Sequence, residues 1–147
     1  MQYNAIALTP STLLSRFAAM VYELLLVTAV VFVASFLIMP VIGDMHAPWQ
    51  RHLFQIYILG VLFAYFSAFW LRSGQTLAMK TWRIRLVQQN GDPLNFKQTM
   101  LRFVLALMGL MLAGIGFWWA FFDRDKQFLH DRLAGTRLIR VPRKHEK

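Results

Sequence analysis

The sequence contains no cysteine, which excludes disulfide frameworks, thiolate catalysis, cysteine-ligated zinc and iron–sulfur clusters. It is also poor in acid: 7 Asp and Glu stand against 16 Lys and Arg, a net charge of +9. Charge of either sign is scarce, at 16% of 147 residues, whereas a soluble domain carries about 25%. The four histidines, at 46, 52, 130 and 145, have no metal-binding spacing. A single intramembrane acid without a second carboxylate, and no arguable Ser/His/Asp set, leave an enzyme unexpected. No cofactor is expected either.

What the chain has instead is apolar residue, 57% of the total, which excludes disorder. It is collected in three runs. Phe17–Met39 has 23 residues and one charge, Glu23; Leu53–Leu71 has 19 and none; Phe103–Phe122 has 20 and none. A membrane span needs about 20 such residues. Helices apolar on every side belong in lipid or inside a much larger protein. The expectation is therefore an integral membrane protein. The first run is longer than a signal-peptide core and lacks a cleavage pattern before Pro40, so it reads as a retained anchor.

The excess charge lies in two segments. Residues 1–52 are neutral, 72–102 carry +5 and 123–147 carry +4. Basic loops stay cytoplasmic. That places the N-terminus and the 72–102 loop inside and the 40–52 loop outside. The basic tail attracts anionic lipid headgroups, and nucleic acid is not expected as a partner. If the tail is also inside, the third run cannot cross. Ala106, Gly109, Ala113, Gly116 and Ala120 share one helical face and suit one continuous helix. Gly109, Gly114 and Gly116 could instead break it. Trp118, Trp119, Phe121 and Phe122 read as an interfacial aromatic belt.

Two polar stretches have strand character. Thr81–Gln88 alternates, with Trp82, Ile84 and Leu86 on one face, and Asn90-Gly91 follows as a turn. Thr136–Val141 is the second. Pairing them requires one side of the membrane for both. This agrees with the charge bias and favours a third run that is re-entrant or interfacial. The segment from Arg72 to Trp82 reads as a short interfacial piece. The expected fold is thus all-α membrane protein, two transmembrane helices plus a third re-entrant/interfacial or spanning helix, with a small cytoplasmic β-pair.

Glu23 is the most informative residue. It lies about 9 Å into the first run, and an ionisable group there is a functional candidate by default. Arg16 precedes it by two turns on the same face and could modulate it. The structural alternative is a packing anchor. Gly74–Thr81 has the outline of a phosphate loop, but Met79 fills the position that needs glycine, so a nucleotide site is rejected. Gly74 is instead expected to end the second helix. His130 and Asp131 could bond the basic loop, where Arg83 and Arg85 offer partners.

Three segments together resemble the RDD family of bacterial membrane proteins, named for one arginine and two aspartates. They are Ser15-Arg16-Phe17-Ala18-Ala19 through Glu23, then Gly74-Gln75-Thr76-Leu77 with Arg85-Leu86-Val87 and Asn90-Gly91, then Phe117–Ala120 with Asp123, Gln127 and His130–Thr136. The likeness covers residues 12–141, a single domain followed by the basic tail 142–147. It implies that Arg16 is the arginine, that Glu23 stands for the first aspartate and that Asp131 is the second. Ala78 and Met79 replace a Gly-Lys pair common in the family's loop. The resemblance implies a bacterial inner-membrane, multi-pass protein with two spans. A role as a transport component for ions or protons is suggested for the family. A non-catalytic scaffold or regulatory subunit is the alternative. Either implies a homo-oligomer or a membrane-protein partner, since three short helices enclose no pore.

Overall fold

The computed structural model describes residues 11–43, 46–112, 114–124 and 127–141. Six helices and two strands occur in these segments: α1 Leu13–Ile42, α2 Pro48–Ser73, α3 Leu77–Thr81, β1 Ile84–Gln88, α4 Phe96–Met111, α5 Ile115–Phe122, α6 Leu129–Leu133 and β2 Thr136–Arg140. The molecule is mostly helical, with one two-stranded antiparallel sheet.

Both long helices outrun the apolar runs that announce them. α1 begins at Leu13 because Thr12 caps it, accepting the Ser15 N–H at 3.4 Å. It continues past Pro40 and ends at Gly43 with φ +71°. Pro48 opens α2 at a position whose N–H has no helical partner anyway. Gly74 closes it in the left-handed conformation, φ +67°, and donates to the Trp70 carbonyl at 3.0 Å. The two helices have 30 and 26 residues and the apolar composition to cross a membrane. They run antiparallel. Tyr65 of α2 bonds Glu23 near the start of α1, and Tyr57 donates to the Ala34 carbonyl farther along it.

The two strands pair as expected, from Ile84 opposite Arg140 to Gln88 opposite Thr136. Trp82 is not part of the alternation. Arg83 adopts φ +53°, which turns the chain between α3 and β1 and leaves Trp82 outside the strand. Ile84 and Leu86, which share a face, are buried, and Val87 is buried too. Asn90-Gly91 forms the expected turn, with the Gly91 N–H on the Gln88 carbonyl at 3.0 Å.

The third apolar run is not one helix. α4 ends at Met111 and α5 begins at Ile115, with Gly114 at φ +75° before it. Both ends of the run are held by the same short helix: Arg102 pairs with Asp131 of α6, and Asp123 pairs with Arg132 of α6. A straight helix of that length would separate its ends by about 30 Å. The run therefore leaves from and returns to one cluster. The small-residue stripe does not hold it straight, because glycine lowers helical stability where a left-handed backbone is accessible. Among the stripe residues, Ala113 lies outside the described residues.

The buried core gathers at the sheet end of the molecule, around Ala19, Trp70, Met79, Ile84, Leu86, Leu94, Ala120, Phe128 and Leu138. The distal halves of α1 and α2 carry exposed apolar side chains, among them Phe32, Phe36, Leu37 and Val41. The tail 142–147 lies outside the described residues.

Candidate functional site

Two polar clusters lie where the long helices meet the sheet end. The first is centred on Glu23, half-buried on α1. Its Oε1 accepts from the Tyr65 hydroxyl of α2 at 2.9 Å, and its Oε2 accepts from the Thr76 hydroxyl. Thr76 is the N-cap of α3, so its Oγ1 also accepts the Met79 N–H at 3.3 Å. Its single hydroxyl proton is then directed at Glu23. Among the described residues no cation stands against this carboxylate. Both donors are neutral hydroxyls from other elements.

Gly74 makes that placement possible. A side chain there would bring a Cβ to 2.5 Å from the Leu86 carbonyl oxygen, and the backbone is left-handed besides. The close approach allows the Leu86 N–H to reach the Gly74 carbonyl at 2.7 Å. α2 is thereby stitched to β1, and Thr76 is carried under Glu23. Gly74 thus ends the helix as expected, and the outline of a phosphate loop is a capped turn.

The second cluster is more deeply buried. Arg16, Arg102, His130 and Asp131 are each 6% exposed or less. Arg16 donates through Nε to Ser11 Oγ at 2.8 Å, and Ser11 Oγ in turn donates to the Leu138 carbonyl at 3.3 Å. This ties the start of α1 to β2. Arg102 of α4 forms an ion pair with Asp131 of α6 and donates to Thr136 Oγ1 at 3.4 Å. Its guanidinium also lies 4.9 Å from the centre of the Trp70 ring, within cation–π range. Burial, and secondly the charge of Arg16, push Arg102 down to about 9, which leaves it charged at neutral pH.

His130 stacks on Phe128, with ring centres 5.5 Å apart. Burial first, and the Arg102 charge second, push it well below the usual histidine range. A neutral His130 makes its 3.6 Å approach to Asp131 a contact between a ring and a carboxylate, not an ion pair. Asp123 completes the surroundings. It accepts the Gln127 N–H at 3.1 Å and pairs with Arg132.

The sequence candidates therefore separate. Arg16 and Asp131 belong to the buried cluster, while Glu23, Thr76 and Gly74 belong to the other. Arg16 does not pair with Glu23, although both lie on one face of α1. Arg83 and Arg85, offered as partners for Asp131, lie in the turn before β1 and on β1, opposite Arg140's neighbour Ile139 in the case of Arg85. Asp131 takes Arg102 instead. Sequence reasoning counted Arg102 only as one of the loop's charges. The signal available was its position, directly before a charge-free run of 20 residues. Tyr65 is legible as one of the few polar side chains of the second apolar run, with Gln55, Tyr57 and Ser67, whereas Trp70 carries no such signal. Among the described residues, no three His, Asp or Glu side chains gather as a metal ion would need.

The arginine that opens α1, the acid two turns later and the aspartate of α6 all lie within the segment that resembles known proteins. A family model described as the RDD family matches residues 10–135. An uncharacterized protein of Rickettsia prowazekii (strain Madrid E) is 33% identical over 80 residues, covering 54% of this chain and 44% of that protein. The chain thus spans less than half the length of the curated relative it matches. No solved structure matches the chain. With most of its length matched, including all three of these positions, the chain belongs to the RDD family.

Proposed function

We propose that this is a small multi-pass inner-membrane protein acting as a transport component for protons or ions, with Glu23 as the binding carboxylate. The observation that carries the reading is the setting of Glu23. A carboxylate on an apolar helix, held by two neutral hydroxyls and by no cation among the described residues, is equipped to exchange a proton or a small cation. Arg16 and Asp131 act on it through the packing of α1 and the sheet end. The proposal includes no catalytic step and no cofactor.

Membrane family membership and two long apolar helices support a membrane location. In this reading α1 and α2 span, since about 45 and 39 Å of helix exceed a hydrocarbon core of about 30 Å. The N-terminus, the sheet and the basic segments face the cytoplasm, following the charge bias. The α4–α5 hairpin re-enters or lies at the interface, because its two ends meet on α6. The exposed apolar faces of α1 and α2 contact lipid, a second copy or a partner.

A second reading, a non-catalytic scaffold or regulatory subunit, is favoured by one observation. The groove between the distal halves of α1 and α2, about 430 Å³, is apolar, lined by Ala29, Val33, Ala34, Leu37, Tyr57 and Val61. Such a groove suits an apolar helix of a partner better than an ion. In the transport reading, a pathway forms between copies or with a partner. Reconstitution of the pure protein into proteoliposomes separates the two. The transport reading expects proton or cation flux that falls at least about tenfold in Glu23→Gln. Equal flux in both proteins excludes Glu23. No flux, with copurification of one stoichiometric membrane protein, favours the scaffold.

A further inference from the structure

We propose that α3 and the turn following it form a docking edge for acidic phospholipid headgroups of the inner leaflet. The inference rests on the membrane reading above and adds a defined site to it. Its starting point is depth. Thr76, the cap of α3, is hydrogen-bonded to Glu23, which lies about two turns inside the first apolar run. α3 is therefore fixed beside the first turns of α1, at the boundary between hydrocarbon and headgroups.

At that level α3 divides its side chains sharply. Ala78 and Met79 are buried in the core, whereas Leu77, Lys80, Thr81, Trp82 and Arg83 are all exposed. Leu77 is 47% and Trp82 43% exposed, which leaves large apolar surface on the same edge as the cations. Leucine and tryptophan next to lysine and arginine is the side-chain mixture that suits an interface. The apolar groups enter the acyl boundary, and the cations meet phosphate.

The backbone holds this arrangement in place. Arg83 sits at φ +53°, with its N–H on the Lys80 carbonyl at 3.2 Å and its own carbonyl accepting the Val141 N–H at 2.8 Å. The turn is thus fastened to both α3 and the end of β2, leaving Trp82 and Arg83 outside. Charge complementarity then selects the lipid. From Arg72 to Gly91 the chain has four cations and no acid, so an anionic headgroup meets no opposing carboxylate along this segment. Lipid is favoured over a soluble anion because the exposed edge also carries two large apolar side chains, Leu77 and Trp82.

The experiment uses the full-length protein in phosphatidylcholine vesicles containing increasing fractions of brominated phosphatidylglycerol. The signal is Trp82 emission, obtained as the difference between the parent protein and Trp82→Phe, since four other tryptophans contribute. Half-quenching is expected at a low fraction of the brominated acidic lipid. The double variant K80Q/R83Q should need a higher fraction. At about tenfold per 1.4 kcal/mol, loss of two headgroup cations corresponds to about a 30-fold weaker preference. Arg51→Gln, at the opposite end of α2, should leave the curve unchanged. Equal quenching by brominated phosphatidylglycerol and brominated phosphatidylcholine would overturn the headgroup site while the membrane reading stands. Quenching by neither lipid would overturn both. Relief of the acidic-lipid effect by inorganic phosphate would assign the edge to a soluble anion and also overturn the proposal.

Discussion

Arg102 and Asp131 form an ion pair in which the two side chains are only 8% and 1% exposed, joining α4 to α6 across the third apolar run. Removing one member of such a pair leaves a buried charge uncompensated. Loss of both members together removes the desolvation cost along with the attraction.

The variants follow that logic. Asp131→Asn and Arg102→Met should each destabilise the protein by about 3–5 kcal/mol. The double variant R102M/D131L should recover most of that loss. Thermal unfolding in detergent measures all three. A double variant no more stable than either single one would show that the pair does more than neutralise itself.

Gly74 and Gly135 form an internally controlled comparison. Both have φ +67°, but only Gly74 has backbone where a Cβ would stand. Gly135→Ala should cost about 1–2 kcal/mol for the positive-φ backbone alone. Gly74→Ala must also displace the Leu86 carbonyl and should cost clearly more, about 3 kcal/mol or above. It should also weaken the Thr76 bond to Glu23. The same unfolding measurement compares them, and equal losses would refute the contact argument.

His130 makes stability depend on pH. Its folded form resists protonation because burial and Arg102 disfavour the charge, while the unfolded chain protonates near pH 6.5. The unfolded state thus binds the extra proton below that point. The contribution of His130 is complete above about pH 6.5 and is lost as pH falls toward its lower folded value. Unfolding midpoints taken between pH 7.5 and 5 should decline. His130→Phe, which keeps a ring against Phe128, should flatten the decline over that interval. An unchanged slope would remove His130 as its cause.

Much of this architecture could be read locally. Hydropathy marked α1 and α2 because lipid-compatible helices need only consecutive apolar residues. Alternation and Asn90-Gly91 marked the strand and its turn, because period and turn chemistry are short-range properties. The alternation extends to Trp82, which lies outside the strand, since nothing local announces a positive φ at Arg83. Gly74 was legible as the end of α2, whereas the Thr12 cap of α1 lies outside the apolar run and was not.

Glu23, Arg16 and Asp131 also stand out by type and position, but which partner each one takes does not. By itself, the sequence determined that apolar residue falls in three runs, that excess positive charge flanks the third, and that a carboxylate is embedded in the first. Those are properties of neighbours along the chain. The tertiary structure decided that Asp131 belongs to Arg102 and that Glu23 belongs to Tyr65 and Thr76. It also decided that the third run turns back on itself. Each of these depends on side chains brought together from distant parts of the chain, where packing and the cost of leaving a buried charge unpaired select one partner among several of the same sign.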